Sequence, residues 1–430
     1  MAEWQTRRSQ TPLSIALVWV RLPPSAPYVS AYQRFETRKV IIMHKYKTAL
    51  VGCGSIARAH MQGYELLENI DVVAVVDPIE EARKNYMEDF GIPKGYATVE
   101  EMLEKSQPEI VSVCVWHLLH DTVTEEVAKS ESVKAIICEK PMAIGVAKAD
   151  RMIKVCEENG VKLAVSHQRR FTPGWEKARE IILDGAIGIP LRADLRVREG
   201  LANWGTHSID GARFVLNDPK PKWVMGAVER KTDKYERNTA IEDSCMGLIH
   251  FENDLQFFIQ SDLLDNNCDA GKFFIRGTEG MIHITETVVK LFNGNTNGWE
   301  QVDIHLEDGD QAIGGKTNAA QTEELIRWIE GGTEHRGSGY KARETVEIMM
   351  AIYESARQNE VVSIPMQEKE YPLEKMMTEG KLSVTVPGKY DIRGFLDRSD
   401  IDEKRYKQLK DDGLPHHIIM RTLHEEKKTA

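Results

Sequence analysis

The sequence predicts a doubly wound parallel α/β sheet followed by an α+β domain. Three observations carry this. From Lys47 to Ser166 short, continuous apolar runs alternate with helical stretches. A glycine-rich turn joins the first such pair. Beyond Ser166 strand-like segments follow one another without long helices between them.

Thr48–Val51 reads as a buried strand, and residues 56–67 follow with helical periodicity. Val72–Val76 is a second strand and Glu80–Phe90 a second helix. Ile110–Val115, Ala135–Cys138 and Leu163–Val165 are further strands, with a helical stretch to Lys129 after the first and a helix at Val146–Glu158 before the last. Strands without polar alternation are buried on both faces, and helices between them imply parallel crossovers. After Ser166 one helix, Trp175–Leu183, ends at Gly185. Strand-like segments then run at 191–197, 223–228, 244–251, 255–261, 272–276, 281–285 and 288–292, with a hairpin turn at Gly277–Gly280. Successive strands imply an antiparallel sheet. Helices at Ala319–Trp328 and Lys341–Arg357 follow.

The chain has 430 residues, room for about two to three domains. A net charge of −11 leaves no basic face for nucleic acid. No run of about 18 apolar residues is present, so no membrane helix is expected. The six cysteines form no C-x-x-C pair and several sit in apolar runs, which reads as reduced, buried thiols in a cytoplasmic protein; their spacing offers no metal site. Residues 1–42 are poor in acids and read as an extension ahead of the real start, Met43 leading directly into the first strand; Arg7-Arg8 before a short apolar stretch is the competing reading, an export signal. The boundaries expected are therefore 1–42 extension, 43–166 nucleotide domain, 167–365 α+β domain for substrate and assembly, and 366–430 a charged, solvated appendage.

Gly52-Cys53-Gly54-Ser55-Ile56-Ala57 lies between the first strand and the first helix. It is a G-x-G-x-x-A turn. Gly52 permits the tight turn, Gly54 lets backbone approach a pyrophosphate, and Ala57 lets the helix pack close. Ser55 and Ile56 open the helix, whose N-terminus offers unsatisfied N–H groups to phosphate. Asp77 ends the second strand about 20 residues further on, where an acid accepts hydrogen bonds from ribose hydroxyls and repels a 2′-phosphate. These features define a Rossmann dinucleotide site that favours NAD over NADP; the blander reading of Asp77 is a strand-end cap before Pro78.

Three further segments stand out: Val115-Trp116-His117-Leu118-Leu119-His120, Glu139-Lys140-Pro141, and Asn203-Trp204-Gly205-Thr206-His207-Ser208-Ile209-Asp210. With the glycine turn, they resemble the glucose-fructose oxidoreductase / inositol dehydrogenase (Gfo/Idh/MocA) family over roughly Lys45 to Pro365. The resemblance implies a Rossmann domain, an open and mostly antiparallel second sheet, and NAD-dependent oxidation or reduction of sugars, inositols and related polyols by a homodimer or homotetramer. It makes Lys140 the lysine beside the nicotinamide and the reacting hydroxyl, where a cation stabilises an alkoxide and relays its proton. It makes His207 the general base. Asn203 stands where the family has an aspartate; an amide can hydrogen-bond substrate but cannot take a proton. Asn203, Asp210 and Arg170, the last in an R-F pair with Phe171, are the candidate substrate contacts; the other readings are that Asp210 orients His207 or caps its helix, and that Arg170 pairs with an acid, which is the favoured reading of Arg170. Trp116, His117, His120 and Glu139 are candidate cofactor contacts, of which His120 keeps the family position and Trp116 and His117 depart from it. A His117/His120 metal pair lacks a third ligand.

The leading functional expectation is an NAD-dependent dehydrogenase acting on a secondary hydroxyl of a sugar or polyol. Two others compete: a redox-neutral, NAD-assisted glycoside hydrolase, which the Arg7-Arg8 pair would suit, and a non-catalytic dinucleotide-binding sensor, which Asn203 would suit.

Overall fold

The computed structural model describes residues 44–263, 272–306, 314–391 and 402–414, with positions 419, 422, 423 and 426 after them. The amino-terminal extension and its Arg7-Arg8 pair lie outside these residues, as does Cys268.

In chain order the first half comprises β1 (Tyr46–Val51), α1 (Ser55–Tyr64), β2 (Ile70–Val76), α2 (Glu80–Phe90), β3 (Gly95–Tyr96), α3 (Val99–Ser106), β4 (Ile110–Val113), α4 (His120–Ala128), β5 (Ala135–Cys138), α5 (Val146–Glu158) and β6 (Lys162–Val165). Its six strands lie in the order β3-β2-β1-β4-β5-β6, all parallel. The order reverses between β1 and β4, the place where ligands bind outside strand C-termini. The turns after β1, β2, β4, β5 and β6 all open at that edge. They carry Gly52, Asp77, Trp116, Lys140 and Arg170 respectively.

The second half continues with α6 (Pro173–Leu183), β7 (Pro190–Val197), α7 (Thr206–Val215), β8 (Pro221–Glu229), β9 (Thr232–Glu236), β10 (Thr239–Ala240), β11 (Ser244–Phe251), β12 (Gln256–Ser261), β13 (Phe273–Gly277), β14 (Gly280–Ile284), β15 (Val289–Asn293), β16 (Glu300–Gln301), α8 (Gly315–Ile329), α9 (Gly339–Gln358), β17 (Val362–Ser363), α10 (Pro372–Thr378), β18 (Val386–Asp391) and α11 (Glu403–Asp411). Nine strands form an open sheet, β16-β15-β14-β13-β7-β12-β11-β8-β17. Every pairing in it is antiparallel except β7 with β12. The expected hairpin turn joins β13 to β14, with Arg276 opposite Met281.

Two long-range features escape the sequence boundaries. After the open sheet, α8 returns to the nucleotide half, where Leu325 and Ile326 join Leu50, Ala57 and Met61 in one apolar cluster. Helix α9 runs between the two sheets and is buried without interruption from Glu347 to Ser355. Arg343 on it bonds Asp150 of α5, while Ser355 accepts from the Gly226 amide of β8. Helices buried all round are wedged between layers.

The carboxy-terminal run corrects one expectation. Residues 366–430 read as a solvated appendage, but Met366, Tyr371, Leu373 and Met376 are buried, three of them in the main core. Few apolar residues spaced along a charged segment leave a weak pattern, yet they are enough to dock it. Strand β18 joins β9 and β10 in a separate three-stranded sheet. Among the described residues, no helix is long and apolar enough to cross a membrane, and no group of three or more His, Cys, Asp or Glu could hold a metal. The five described cysteines are buried and unbridged.

Candidate active site

The glycine turn is built for a ligand rather than for packing alone. Gly52 has φ +98°, and a Cβ there would lie 2.6 Å from the Cys114 carbonyl oxygen, so the fold itself requires glycine. Gly54 differs. Its backbone is extended and a Cβ would meet no protein atom within 4 Å. Among the described residues, none occupies that space. The first turn of α1 has no side-chain cap and no acid, so its N–H groups stay available to an anion. Asp77 shapes the same turn: one carboxylate oxygen accepts from the Cys53 amide at 2.9 Å and the other from Ile79 at 2.9 Å. The cap reading of Asp77 is therefore realised, and each oxygen retains a further lone pair for a ribose hydroxyl. An extended dinucleotide fits this cradle.

Lys140 sits on the turn after β5, and burial lowers its ammonium pKa to about 8, against the opposing pull of Glu236 and Glu139. Its neighbour Glu139 faces inward. Glu139 bonds His60 of α1 at 3.0 Å and is 4% exposed. Burial pushes the Glu139 carboxyl up, but the His60 bond together with the charges of His60 and Lys140 and a Ser166 bond outweighs this and holds it below its usual range. His60 in turn reaches Ser112 of β4 at 3.1 Å. This corrects the expectation of Glu139 as a cofactor contact: it ties the lysine turn to the phosphate helix.

The two loop histidines are also structural. His120 bonds the Pro141 carbonyl at 2.8 Å and the Val115 carbonyl at 3.1 Å, and so pins the turn that carries Lys140. Both ring nitrogens are spent, which leaves none for cofactor. His117 is 2% exposed and bonds the Thr239 hydroxyl at 2.5 Å; burial, then His120, brings its pKa to about 3. Trp116 and Leu119 of this loop are exposed, at 40% and 49%.

A single π-helical turn, Leu201–Gly205, runs into α7 and aims the third segment. His207 is 5% exposed, its ring set edge-on between Trp204 and His167. Its Nδ1 has no protein hydrogen-bond partner among the described residues. Burial first, then the Lys140 charge, drives His207 well below its usual pKa, so it is a neutral ring. Asn203 donates to Glu199 at 3.1 Å. An aspartate could make that bond only by sharing a proton, which gives the amide a physical reason to stand there.

Arg170 pairs with an acid, and that acid is Asp210, which corrects the expectation of both as substrate contacts. Arg170 is fully buried and bidentate to Asp210, at 2.7 Å on both oxygens, with further bonds to Asp218 and the Arg336 carbonyl. Every arm of the guanidinium is used, and neither residue is open to a substrate. Asp210 also lies 3.3 Å from Nδ1 of His167, which burial holds to a pKa of about 4. His167 bonds the Thr206 hydroxyl and touches the His207 ring. It therefore occupies the orienting place proposed for Asp210.

Sequence reasoning missed His60, His167 and the hairpin Glu236–Thr239. The hairpin is the largest omission. Glu236 is 2% exposed and acts on Lys140 more than any other charge, although more than 90 residues separate them. Arg169, whose guanidinium lies 4.6 Å from the Trp204 ring centre and bonds Glu286, adds a cation to the same surroundings. His167 could have been noticed from its place before Arg169-Arg170; the hairpin carries no local signal.

Residues 46–167 match the family described as "Oxidoreductase family, NAD-binding Rossmann fold", and residues 198–283 match the "GFO/IDH/MocA C-terminal domain". The chain is 30% identical over 230 residues to the rhizopine catabolism protein MocA of Rhizobium meliloti, which covers 48% of this chain and 71% of that protein. It is 24% identical over 367 residues to a D-apiose dehydrogenase of Paraburkholderia graminis, covering 76% and 92%. Its fold is similar to that of an oxidoreductase from Agrobacterium radiobacter solved with NAD+, L-tartaric acid and magnesium, with a TM-score of 0.65, 22% identity, and 75% and 99% of the two chains covered.

Proposed function

The chain belongs to the GFO/IDH/MocA oxidoreductase family and is an NAD-binding dehydrogenase, and on that premise we propose that it oxidises a secondary hydroxyl of a sugar, inositol or related polyol. Bound NAD supplies the hydride acceptor. Lys140 supports this reading best: a half-buried amine with a pKa of about 8, on a turn at the cofactor edge of the sheet. Such a group exchanges a proton near neutral pH. In the forward direction its neutral form takes the hydroxyl proton while the carbon loses hydride with its electron pair. In reverse, the ammonium returns the proton to the forming alkoxide.

His207 acts differently from the expected general base. A neutral ring held far below its ordinary pKa is a poor proton store, but it can hydrogen-bond the hydroxyl and fix its direction toward Lys140. The five buried, unbridged cysteines suit a reducing cytoplasm. Assembly as a homodimer or homotetramer follows from the family and is read by light scattering.

The test is a panel of polyols, sugars and sugar acids followed by NADH absorbance, with NADP as control. One or more should reduce NAD, and Lys140→Ala should lower turnover by about 10³-fold or more while NAD affinity stays within about threefold. Near-normal turnover in Lys140→Ala would sink the assignment. Consumption of a glycoside without net NADH would favour the hydrolase.

A further inference from the structure

The hairpin that brings Glu236 to the site is held from outside. Arg237 and Asn238 form its two-residue turn, between the paired Glu236 and Thr239, with φ of 47° and 63°. Left-handed backbone is costly for a side chain as large as arginine, so the turn needs support. Asp391, the last residue of β18, provides it: one carboxylate oxygen accepts from the Arg237 amide at 2.9 Å and the other from the Asn238 amide at 2.7 Å. Strand β18 pairs with β9, Lys389 bonds the Asn238 side chain, and the Tyr371 hydroxyl donates to the Ala240 carbonyl. At its base the same hairpin runs into Glu242, which accepts from the Leu201 amide at the start of the π-helical turn before His207.

We propose that Asp391 is a positioning residue for the active site: from the carboxy-terminal strand it fixes the Arg237–Asn238 turn and so holds Glu236 toward Lys140 and Thr239 on His117. The family matches end at residue 283, more than 100 residues before Asp391. The segment 366–391 is thus a scaffold for the site rather than an appendage. The inference rests on the reading of Lys140 as the proton-exchanging group. The charged and titratable groups acting on Lys140 come from each element around it: Glu236 and Arg237 of the hairpin, Glu139 of its own turn, Arg169 after β6, and the ring-bearing His117, His167 and His207.

The test is a double-mutant cycle on the full chain. Asp391→Ala should lower kcat/KM by about tenfold with NAD affinity unchanged, and move the alkaline rise of the oxidation rate to lower pH, as Glu236→Gln does. In the Glu236→Gln background, Asp391→Ala should move that rise no further. Asp391→Asn, which keeps one acceptor, should fall between. A rise that stays put in Asp391→Ala, or shifts equally in both backgrounds, overturns the proposal. Amide hydrogen exchange across 232–240 is the arm independent of turnover: it should speed up about tenfold or more in Asp391→Ala, and unchanged exchange there overturns the proposal whatever the kinetics. If the wild type oxidises no alcohol, the proposed function fails, and the exchange arm alone decides the role of Asp391.

Discussion

The two halves of the molecule bury different things. In the parallel sheet the strands put Ala49, Leu50, Val111, Val113, Ile136 and Ile137 out of water, and the cofactor edge is made by backbone at the ends of those strands. In the second half the residues at or near full burial include Arg170, Asp210, Arg213 and Glu242. An apolar strand that loses a neighbour loses buried area and gains a cavity, but no charge is left without a partner. Buried ions differ, because removing one partner leaves the other charged and unsolvated. The nucleotide half relies less on such pairs, His60 with Glu139 being the one that ties the lysine turn to the phosphate helix. In the other half the same bonds hold the fold and aim the site.

Breaking Asp210 should give the largest effect. Asp210→Ala strands the Arg170 guanidinium and removes the acceptor beside His167, so urea denaturation should show a loss of about 3–5 kcal/mol. A loss under about 1 kcal/mol would mean that Asp218 alone satisfies Arg170, and the contrast between the halves would weaken.

The glycine turn offers the sharper case. Gly52→Ala should destabilise the protein even without NAD, because both φ and the Cys114 carbonyl forbid a side chain. Gly54→Ala should leave the apoprotein within about 0.5 kcal/mol of wild type, yet weaken NAD by roughly 10- to 100-fold, since its methyl enters space that only the ligand needs. Calorimetric titration that finds unchanged NAD affinity in Gly54→Ala would remove the argument for the cradle. Smaller again is Asp77→Asn. The amide keeps an acceptor for the turn but loses the charge, and preference for NAD over NADP should narrow by about tenfold in kinetic comparison.

The last prediction concerns pH. Oxidation needs neutral Lys140, so kcat/KM should climb as pH rises through about 8 and level off above it; reduction, which needs the ammonium, should fall across the same window. Glu236 holds the proton on Lys140, so Glu236→Gln should move both limbs to lower pH, by some tenths of a unit to about one unit. A shift to higher pH would reverse the proposed direction of their interaction.

Much of the first half could be read from the chain because its information is local. Val72–Val76 and Ala135–Cys138 read as strands and are strands, and Gly52, Gly54 and Asp77 lie at strand ends set by those runs. The open-sheet strands were legible too, Ser244–Phe251 to the residue, because alternate positions face a core. Short elements were not: β9 is polar and charged, β10 has only two residues, and α10 has only seven. Their stability comes from partners such as Asp243, which caps the Lys231 and Thr232 amides, rather than from their own pattern.

By itself, then, the sequence determined the doubly wound sheet, the turn that cradles a dinucleotide, and the place of Lys140 on the turn after a strand. Periodicity and glycine spacing are properties of neighbours along the chain. Which groups surround Lys140 was decided only by tertiary structure. His60, Glu236 and Asp391 lie on three separate elements, and the bonds that bring them to the site depend on distances in space that no local spacing encodes.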